Sequence, residues 1–303
     1  MSMIVILGPT ASGKTHLATH LAHRIGGEIV SADSRQVYRD MNIGTGKDLD
    51  EYVVAGMHIP YHLIDIREAG EKYNVHEFRQ DASRAIREIG QREKVPILCG
   101  GTGLYIHALL CQPRYTAVPI DLAARQKLDT HTHDELLQML QTLSLPTDYK
   151  ADVSTKKRTI RAIEIAHYLA SHPDFEMPVS KVPDYVIFGL NPPVNTRRER
   201  ISQRLRDRLQ NGLIEEVQGL LAGGILPADL IYYGLEYKFV TEHLIGLLSY
   251  DAMVQRLETE IHRFAKRQMT YFRKMERDGM LIHWLDPNQS LEQWIQKIVS
   301  IST

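Results

Sequence analysis

Apolar positions in this chain fall into two patterns, short unbroken runs and longer stretches at helical spacing. Met3-Ile4-Val5-Ile6-Leu7 is an unbroken run with β-branched members and predicts a buried strand. Behind it Leu17, Ala18, Leu21, Ala22 and Ile25 recur three and four apart and predict a helix. The alternation continues. Residues 27–34 predict a second strand, residues 58–66 a loop entering a strand, and residues 94–99 a buried strand. Val75, Phe78, Ala82, Ala85, Ile86 and Ile89 mark a crossover helix, and residues 104–110 another. Tyr185 to Leu190 resumes the sheet, stopped by Asn191-Pro192-Pro193; an arginine-rich helix, a long helix over 251–275, a short strand over 281–285 and a terminal helix complete the chain. Strands alternating with helices predict an α/β fold built on a parallel sheet.

Between Pro113 and Pro183 the strand pattern stops. Helical pieces over 122–128, 135–143 and 155–169 are joined by Pro-containing turns. The expected organisation is a core of residues 1–113 and 184–303, interrupted by an inserted all-helical subdomain over 114–183.

The first strand and helix bracket Gly8-Pro9-Thr10-Ala11-Ser12-Gly13-Lys14-Thr15, which fits the phosphate-loop pattern G-x-x-x-x-G-K-[ST] at every fixed position. Strand, glycine loop and helix in that order aim backbone N–H groups and a helix N-terminus into one concavity, where a di- or triphosphate rests. Lys14 then reaches the outer phosphates and the Thr15 hydroxyl binds Mg²⁺. The loop does not distinguish a nucleotide from a prenyl diphosphate, so kinase, NTPase and diphosphate-leaving transferase all stay open.

Other candidate chemistry lies at strand ends, where open parallel sheets bind ligands. Asp33 is a general base or an N-cap for the next element. The strand over 94–99 ends in Gly100-Gly101-Thr102-Gly103, where many NTPases carry an acid; the glycines permit close backbone approach and Thr102 offers a neutral hydroxyl. Asp65 is followed by Ile66 instead of a catalytic glutamate, which favours a structural role. Gly44-Thr45-Gly46-Lys47 reads as a loop without the spacing of a second phosphate cradle.

Composition narrows the classes. With 43% hydrophobic and 24% charged residues and a formal net charge of −1, the 303-residue chain has an ordinary globular balance that argues against indiscriminate nucleic-acid binding. No apolar run approaches a membrane span and a strand opens the chain, so a cytoplasmic protein without membrane contact is expected. Cys99 and Cys111 show no zinc-ligand spacing and are expected to be buried hydrophobes. The basic residues are unevenly spread. Lys156-Lys157-Arg158-Thr159-Ile160-Arg161 is a solvated helix end or a phosphate-contacting run, and Arg197, Arg200, Arg204 and Arg208 share one helical face. The Tyr-rich stretch over 230–238, expected to be a loop, either stacks on unpaired bases or plugs a core.

Taken in order, the phosphate loop, Asp33-Ser34 with Tyr38 and Ile43-Gly44-Thr45, His62-Leu63-Ile64-Asp65, Gly100-Gly101-Thr102, Arg158 with Arg161-Ala162-Ile163-Glu164, and Ala265-Lys266-Arg267-Gln268-Met269-Thr270 resemble the motifs of bacterial-type tRNA dimethylallyltransferases. The resemblance runs almost the full length. It departs at Pro60-Tyr61-His62, where the family usually has Pro-His-His, and at Gly234-Leu235-Glu236-Tyr237, where it usually has Gly-Tyr-Lys/Arg-Glu/Gln.

The resemblance implies a P-loop NTPase-like sheet. It also implies Mg²⁺-dependent transfer of a dimethylallyl group from its diphosphate to N6 of the adenine 3′ to the tRNA anticodon. By the family's pattern Asp33 is the base, Thr102 lies near the target nucleotide, and Arg204 and residues Gly8 to Thr15 hold the diphosphate. The same pattern places Asp33, Ser34, Arg35, Gln36, Thr102, Arg125, Lys157, Arg158, Arg161, Lys266, Arg267, Gln268 and Arg273 on tRNA. An insertion that clamps the anticodon stem would account for a basic stripe on an otherwise neutral protein, and a monomer is expected. The alternatives are an isopentenyltransferase acting on free adenine nucleotides and a P-loop kinase of a small metabolite.

Overall fold

Strand β1 (Met3–Leu7) is buried along its whole length because both faces of the sheet are covered. The other strands are β2 (Glu28–Ser31), β3 (Val53–Val54), β4 (Met57–His58), β5 (Tyr61–His62), β6 (Pro96–Gly100), β7 (Tyr185–Leu190) and β8 (Ile282–Leu285). Six of them form one sheet in the order β5-β2-β6-β1-β7-β8, every neighbouring pair parallel, while β3 and β4 make a separate antiparallel ribbon. Alternate residues of β1 feed opposite cores: Met3, Val5 and Leu7 pack in one apolar cluster, Ile4 and Ile6 in the other. The computed structural model describes residues 2–111, 114–147, 149–175 and 182–302, so Pro113, the expected boundary of the insertion, lies outside them.

Two units emerge, one of Met1–Cys111 with Lys181–Thr303, the other of Gln112–Ser180. In the first, helices α1 (Lys14–Ile25), α2 (Val75–Gln91) and α3 (Gly103–Cys111) follow β1, β5 and β6 respectively. Local chemistry sets their ends. Gly26 takes φ +65° and returns its N–H to the Ala22 carbonyl, stopping α1. Asn74 and Glu77 form a capping box that starts α2. The second unit holds α4 (Leu122–Leu128), α5 (His133–Gln141) and α6 (Lys156–Ser171), with no strand among its described residues, around a small core that includes Leu136, Leu140, Ile160 and Ile163. The first unit then continues through α7 (Val194–Gln210), α8 (Leu213–Ala222), α9 (Pro227–Tyr233), α10 (Leu235–Leu244), α11 (Tyr250–Arg277) and α12 (Leu291–Ser302). Among the described residues no helix is long and apolar enough to cross a membrane.

Three local expectations are corrected. Residues 230–238 form no loop: α9 and α10 meet there at Gly234, whose φ of +74° turns the chain, and Tyr233 and Tyr237 are buried. The strand expected within 58–66 reaches only His62 on the sheet, because Leu63 and Asp65 both adopt positive φ. Cys99 is buried as expected, whereas Cys111, at the last turn of α3, is exposed.

Candidate active site

Where β1 ends, the chain turns through the phosphate loop into α1. Gly8 is obligatory there: a Cβ would lie 2.6 Å from the Ser12 hydroxyl and 3.0 Å from the Leu190 carbonyl. Ala11 and Gly13 both take positive φ. Gly13 caps α1 without a side chain, and no acidic residue occupies the first turn, so the helix's unsatisfied N–H groups remain for a ligand. The Ser12 hydroxyl is buried and has no partner among the described residues. Thr10 is tied down from elsewhere, its N–H donating to Gln268 Oε1 at 2.8 Å.

Residues 10–15 of this loop line a cavity of about 890 Å³. Burial lowers the Lys14 pKa; Cys99 and Asp33 oppose that shift and Arg204 reinforces it. Lys14 is therefore a cation whose charge is under-solvated, which suits it to an anionic ligand.

A second wall comes from the ends of β2 and β6. Asp33 Oδ1 accepts from the N–H of Arg35 at 2.8 Å and of Gln36 at 3.4 Å, and the side chain lines the cavity. No helix follows Asp33 for it to cap: the carboxylate closes the turn over 33–36 and borders the cavity at the same time. The Ser34 N–H donates to Thr102 Oγ1 at 3.2 Å, and the Thr102 N–H to the Ala32 carbonyl at 3.3 Å. Glycine makes this approach possible, since a Cβ on Gly100 would lie 2.2 Å from the Ala32 carbonyl oxygen and one on Gly101 2.3 Å from Gln268 Nε2.

The third wall is α7 with the segment over 44–48 laid across it. Arg204 forms an ion pair with Asp48, and Arg208 with Glu236 at 3.1 Å. The row of arginines is thus divided, its inner members covered by protein. Burial pulls the Arg208 pKa down and pushes that of Glu236 up. Burial, and then Asp48, raises the Glu51 carboxyl above its ordinary value on the same cavity. Lys47, which a second phosphate cradle would need, is buried and bonded to the Tyr38 carbonyl and Asn42 Oδ1, both at 2.7 Å, and to Asp65. That pairing gives Asp65 a structural partner away from the phosphate loop. Leu235, Phe239, Ile261 and Phe264 supply an apolar side to the cavity.

The remaining expected residues separate into those facing outward and those used inside the protein. Arg35 lies over the Tyr233 ring at 5.4 Å, and Gln36 donates to the Gly46 carbonyl at 2.9 Å. Lys266, Arg267 and Arg273 are exposed on α11, whereas Gln268 is buried, its Nε2 donating to the Gly101 carbonyl at 2.9 Å while its Oε1 holds Thr10. Within the helical unit Arg125 grips buried Glu164 through two bonds, at 3.1 and 2.8 Å. Arg161 reaches the same carboxylate and the Val118 carbonyl. Lys157 and Arg158 are exposed, Arg158 meeting Asp152 at 3.0 Å. Sequence reasoning missed Asp48, Glu51 and the bridging role of Gln268; Asp48 meets Arg204, and Gln268 meets Thr10 and Gly101, from far along the chain, where spacing carries no signal. Among the described residues no group of three or more His, Cys, Asp or Glu side chains is placed to hold a metal ion.

A protein-family model described as IPP transferase matches residues 36–275, and one described as Isopentenyl transferase matches residues 1–61. The chain is 50% identical over 301 residues to tRNA dimethylallyltransferase 1 of Porphyromonas gingivalis, covering 99% of both proteins. It is 44% identical over 301 residues to tRNA dimethylallyltransferase 1 of Geotalea uraniireducens, covering 99% of this chain and 98% of that protein. Among solved structures it resembles a full-length tRNA isopentenylpyrophosphate transferase from Bacillus halodurans, with a TM-score of 0.71, 30% identity, and 99% and 95% of the two chains covered. It also resembles a eukaryotic dimethylallyltransferase acting on tRNA, with a TM-score of 0.75, 25% identity, and 99% and 78% covered.

Proposed function

The chain belongs to the IPP transferase family, and from that footing we propose how its cavity carries a dimethylallyl group from dimethylallyl diphosphate to N6 of the adenine 3′ to the tRNA anticodon. One observation supports the reading above the rest: the phosphate loop, the Asp33–Thr102 wall and an apolar side all border a single cavity.

The diphosphate rests on loop 8–15, where the α1 amides and Lys14 take its charge. Arg204 exchanges Asp48 for a phosphate oxygen. The five-carbon tail lies against Leu235, Phe239, Ile261 and Phe264. The target adenine, turned out of its stack, enters beside Asp33 and Thr102. Its exocyclic amine is a weak nucleophile because the lone pair is delocalised into the ring. As N6 attacks C1, the C–O bond breaks and its electron pair leaves on the diphosphate. The N6 proton passes to Asp33, whose Oδ1 is held by two backbone N–H groups, leaving Oδ2 to accept it.

The residues present fit Mg²⁺. Thr15 carries a hydroxyl next to Lys14 on the phosphate loop and would hold the ion together with the diphosphate's own oxygens, while the carboxylates of Asp33, Asp48 and Glu51 border the same cavity without forming a metal-binding group. An oxygen-only set with no dedicated protein cage suits an ion that arrives with phosphates. When bound, it neutralises charge on the departing diphosphate.

On the nucleic acid, the exposed Lys157, Arg158, Lys266, Arg267 and Arg273 are the residues proposed to meet phosphates of the anticodon stem–loop. Arg125, Arg161 and Gln268 act by holding their own neighbourhoods in shape. The enzyme acts as a single chain in the cytoplasm. Incubation with radiolabelled dimethylallyl diphosphate and unmodified tRNA, with ATP and free AMP in parallel, tests the assignment: label on RNA supports it. Label only on AMP, or consumption of ATP without RNA labelling, contradicts it.

A further inference from the structure

The segment over 42–48, which brings Gly44, Thr45, Gly46 and Asp48 to the cavity, has no helix or strand, yet it is anchored at both ends. Glu216, on α8, accepts from four donors at once. Its Oε2 takes the N–H of Asn42 at 2.7 Å and of Ile43 at 2.6 Å; its Oε1 takes the N–H of Gly44 at 3.0 Å and the Tyr237 hydroxyl at 2.7 Å. Three consecutive backbone donors converging on one carboxylate make an anion nest filled from within the protein. Lys47 fastens the other end through Tyr38, Asn42 and Asp65.

Between these anchors the chain presses on the arginines of α7. A Cβ on Gly46 would lie 1.7 Å from one Arg208 nitrogen and 2.5 Å from Arg204 Nη2, and one on Gly44 would lie 2.7 Å from the Tyr237 ring. Directly after Lys47 comes Asp48, the counter-ion of Arg204. Steric wall and counter-charge are delivered to Arg204 by the same short piece of backbone.

We propose that Glu216 is a positioning residue for the diphosphate site: by gathering the N–H groups of residues 42–44 it sets segment 44–48 against α7 and so fixes where the Arg204 guanidinium stands. The proposal rests on Arg204 contacting the diphosphate. Glu216 itself reaches no reacting atom. A glutamine there keeps one acceptor but turns an NH₂ group towards donors, so the segment loses half of its anchor.

The test is steady-state kinetics of Glu216→Gln, Arg204→Ala and the double variant, with dimethylallyl diphosphate and tRNA varied separately. The KM for dimethylallyl diphosphate is expected to rise about tenfold in Glu216→Gln, with the KM for tRNA unchanged and kcat within about threefold, the signature of lost substrate binding. In the Arg204→Ala background the second substitution should add less than about twofold, because the two act through one element. A folded Glu216→Gln enzyme with an unchanged diphosphate KM, beside an Arg204→Ala enzyme in which it rises, overturns the proposal alone. Full additivity in the double variant also overturns it. An Arg204→Ala enzyme with unchanged KM removes the arginine's assigned role and the proposal with it. Should Glu216→Gln fail to fold, Tyr237→Phe removes a single bond from the same carboxylate; a rise of about twofold in the same KM supports the proposal and no rise overturns it.

Discussion

The backbone N–H of Ser34 donates to the hydroxyl of Thr102 at 3.2 Å, joining the ends of β2 and β6 beside the Asp33 carboxylate. The hydroxyl therefore has a task before any substrate arrives. Thr102→Val keeps the shape and removes the acceptor, leaving a part-buried N–H unpaired. It should lower kcat about tenfold by letting the Asp33 turn drift, with a smaller loss in Thr102→Ser, which keeps the bond. Equal kcat values for all three proteins would detach Thr102 from the chemistry.

Lys14 yields a prediction about stability and pH. Burial lowers its pKa in the folded protein below 10.5, so folding disfavours the charged form. Between the lowered value and 10.5 the unfolded chain binds more protons, and stability rises with pH. At neutral pH the ammonium is a cost to the free protein, and Lys14→Met should raise Tm while weakening dimethylallyl diphosphate binding by 10-fold or more, on the order of the loss of a charged phosphate contact. Differential scanning calorimetry with and without the diphosphate checks both halves. A variant that binds normally, or that melts lower, contradicts the assignment.

In the helical unit the test is acid sensitivity. Burial pushes the Glu164 carboxyl up, but its bonds from Arg125, Arg161 and the Asp121 N–H outweigh that and hold it below 4.5. A lowered carboxylate pKa contributes stability that is present above 4.5 and lost as pH falls through the folded value. Protease resistance of residues 112–180 should fall in that acid window in the natural protein. Glu164→Gln should destabilise the unit at neutral pH by about 1–3 kcal/mol. Unaltered resistance in the variant would mean the two arginines need no carboxylate and remain free for RNA.

How far the sequence was legible depends on where each residue's partners lie. The phosphate loop and its flanking strand and helix could be read because all their determinants fall within about 25 consecutive positions. Asp33 and Thr102 were legible as strand-end residues in a parallel sheet. The arginine face of α7 was legible as a face, but its covering was not: Asp48 is 156 positions from Arg204, and the N–H groups that hold Glu216 are 172 to 174 positions away. The α9–α10 junction escaped because two short helices meeting at a glycine share the composition of a loop. The family's pattern placed Gln268 among the tRNA-contacting residues, and its position beside Ala265, Met269 and Phe272 puts it on the buried side of α11.

Salt dependence separates the residues proposed to meet RNA phosphates from those that do not. Each lost phosphate contact should reduce the slope of log K against log salt by about 0.7 to 1. Lys157→Ala and Lys266→Ala should each flatten the slope by that amount for tRNA binding, and Arg125→Ala should act through stability of the helical unit instead. Fluorescence anisotropy across a salt series distinguishes them. Identical slopes in the lysine variants and the natural protein would remove those contacts.

Prenyl transfer as proposed turns on Asp33 taking the N6 proton, and a single-turnover measurement of Asp33→Ala with saturating tRNA and dimethylallyl diphosphate tests it most directly. The rate of transfer should fall about 10²- to 10⁴-fold, as for a lost general base, while the affinities for both substrates stay within a few-fold. A rate within a few-fold of the natural enzyme would show that the proton leaves by another route and would contradict that role for Asp33.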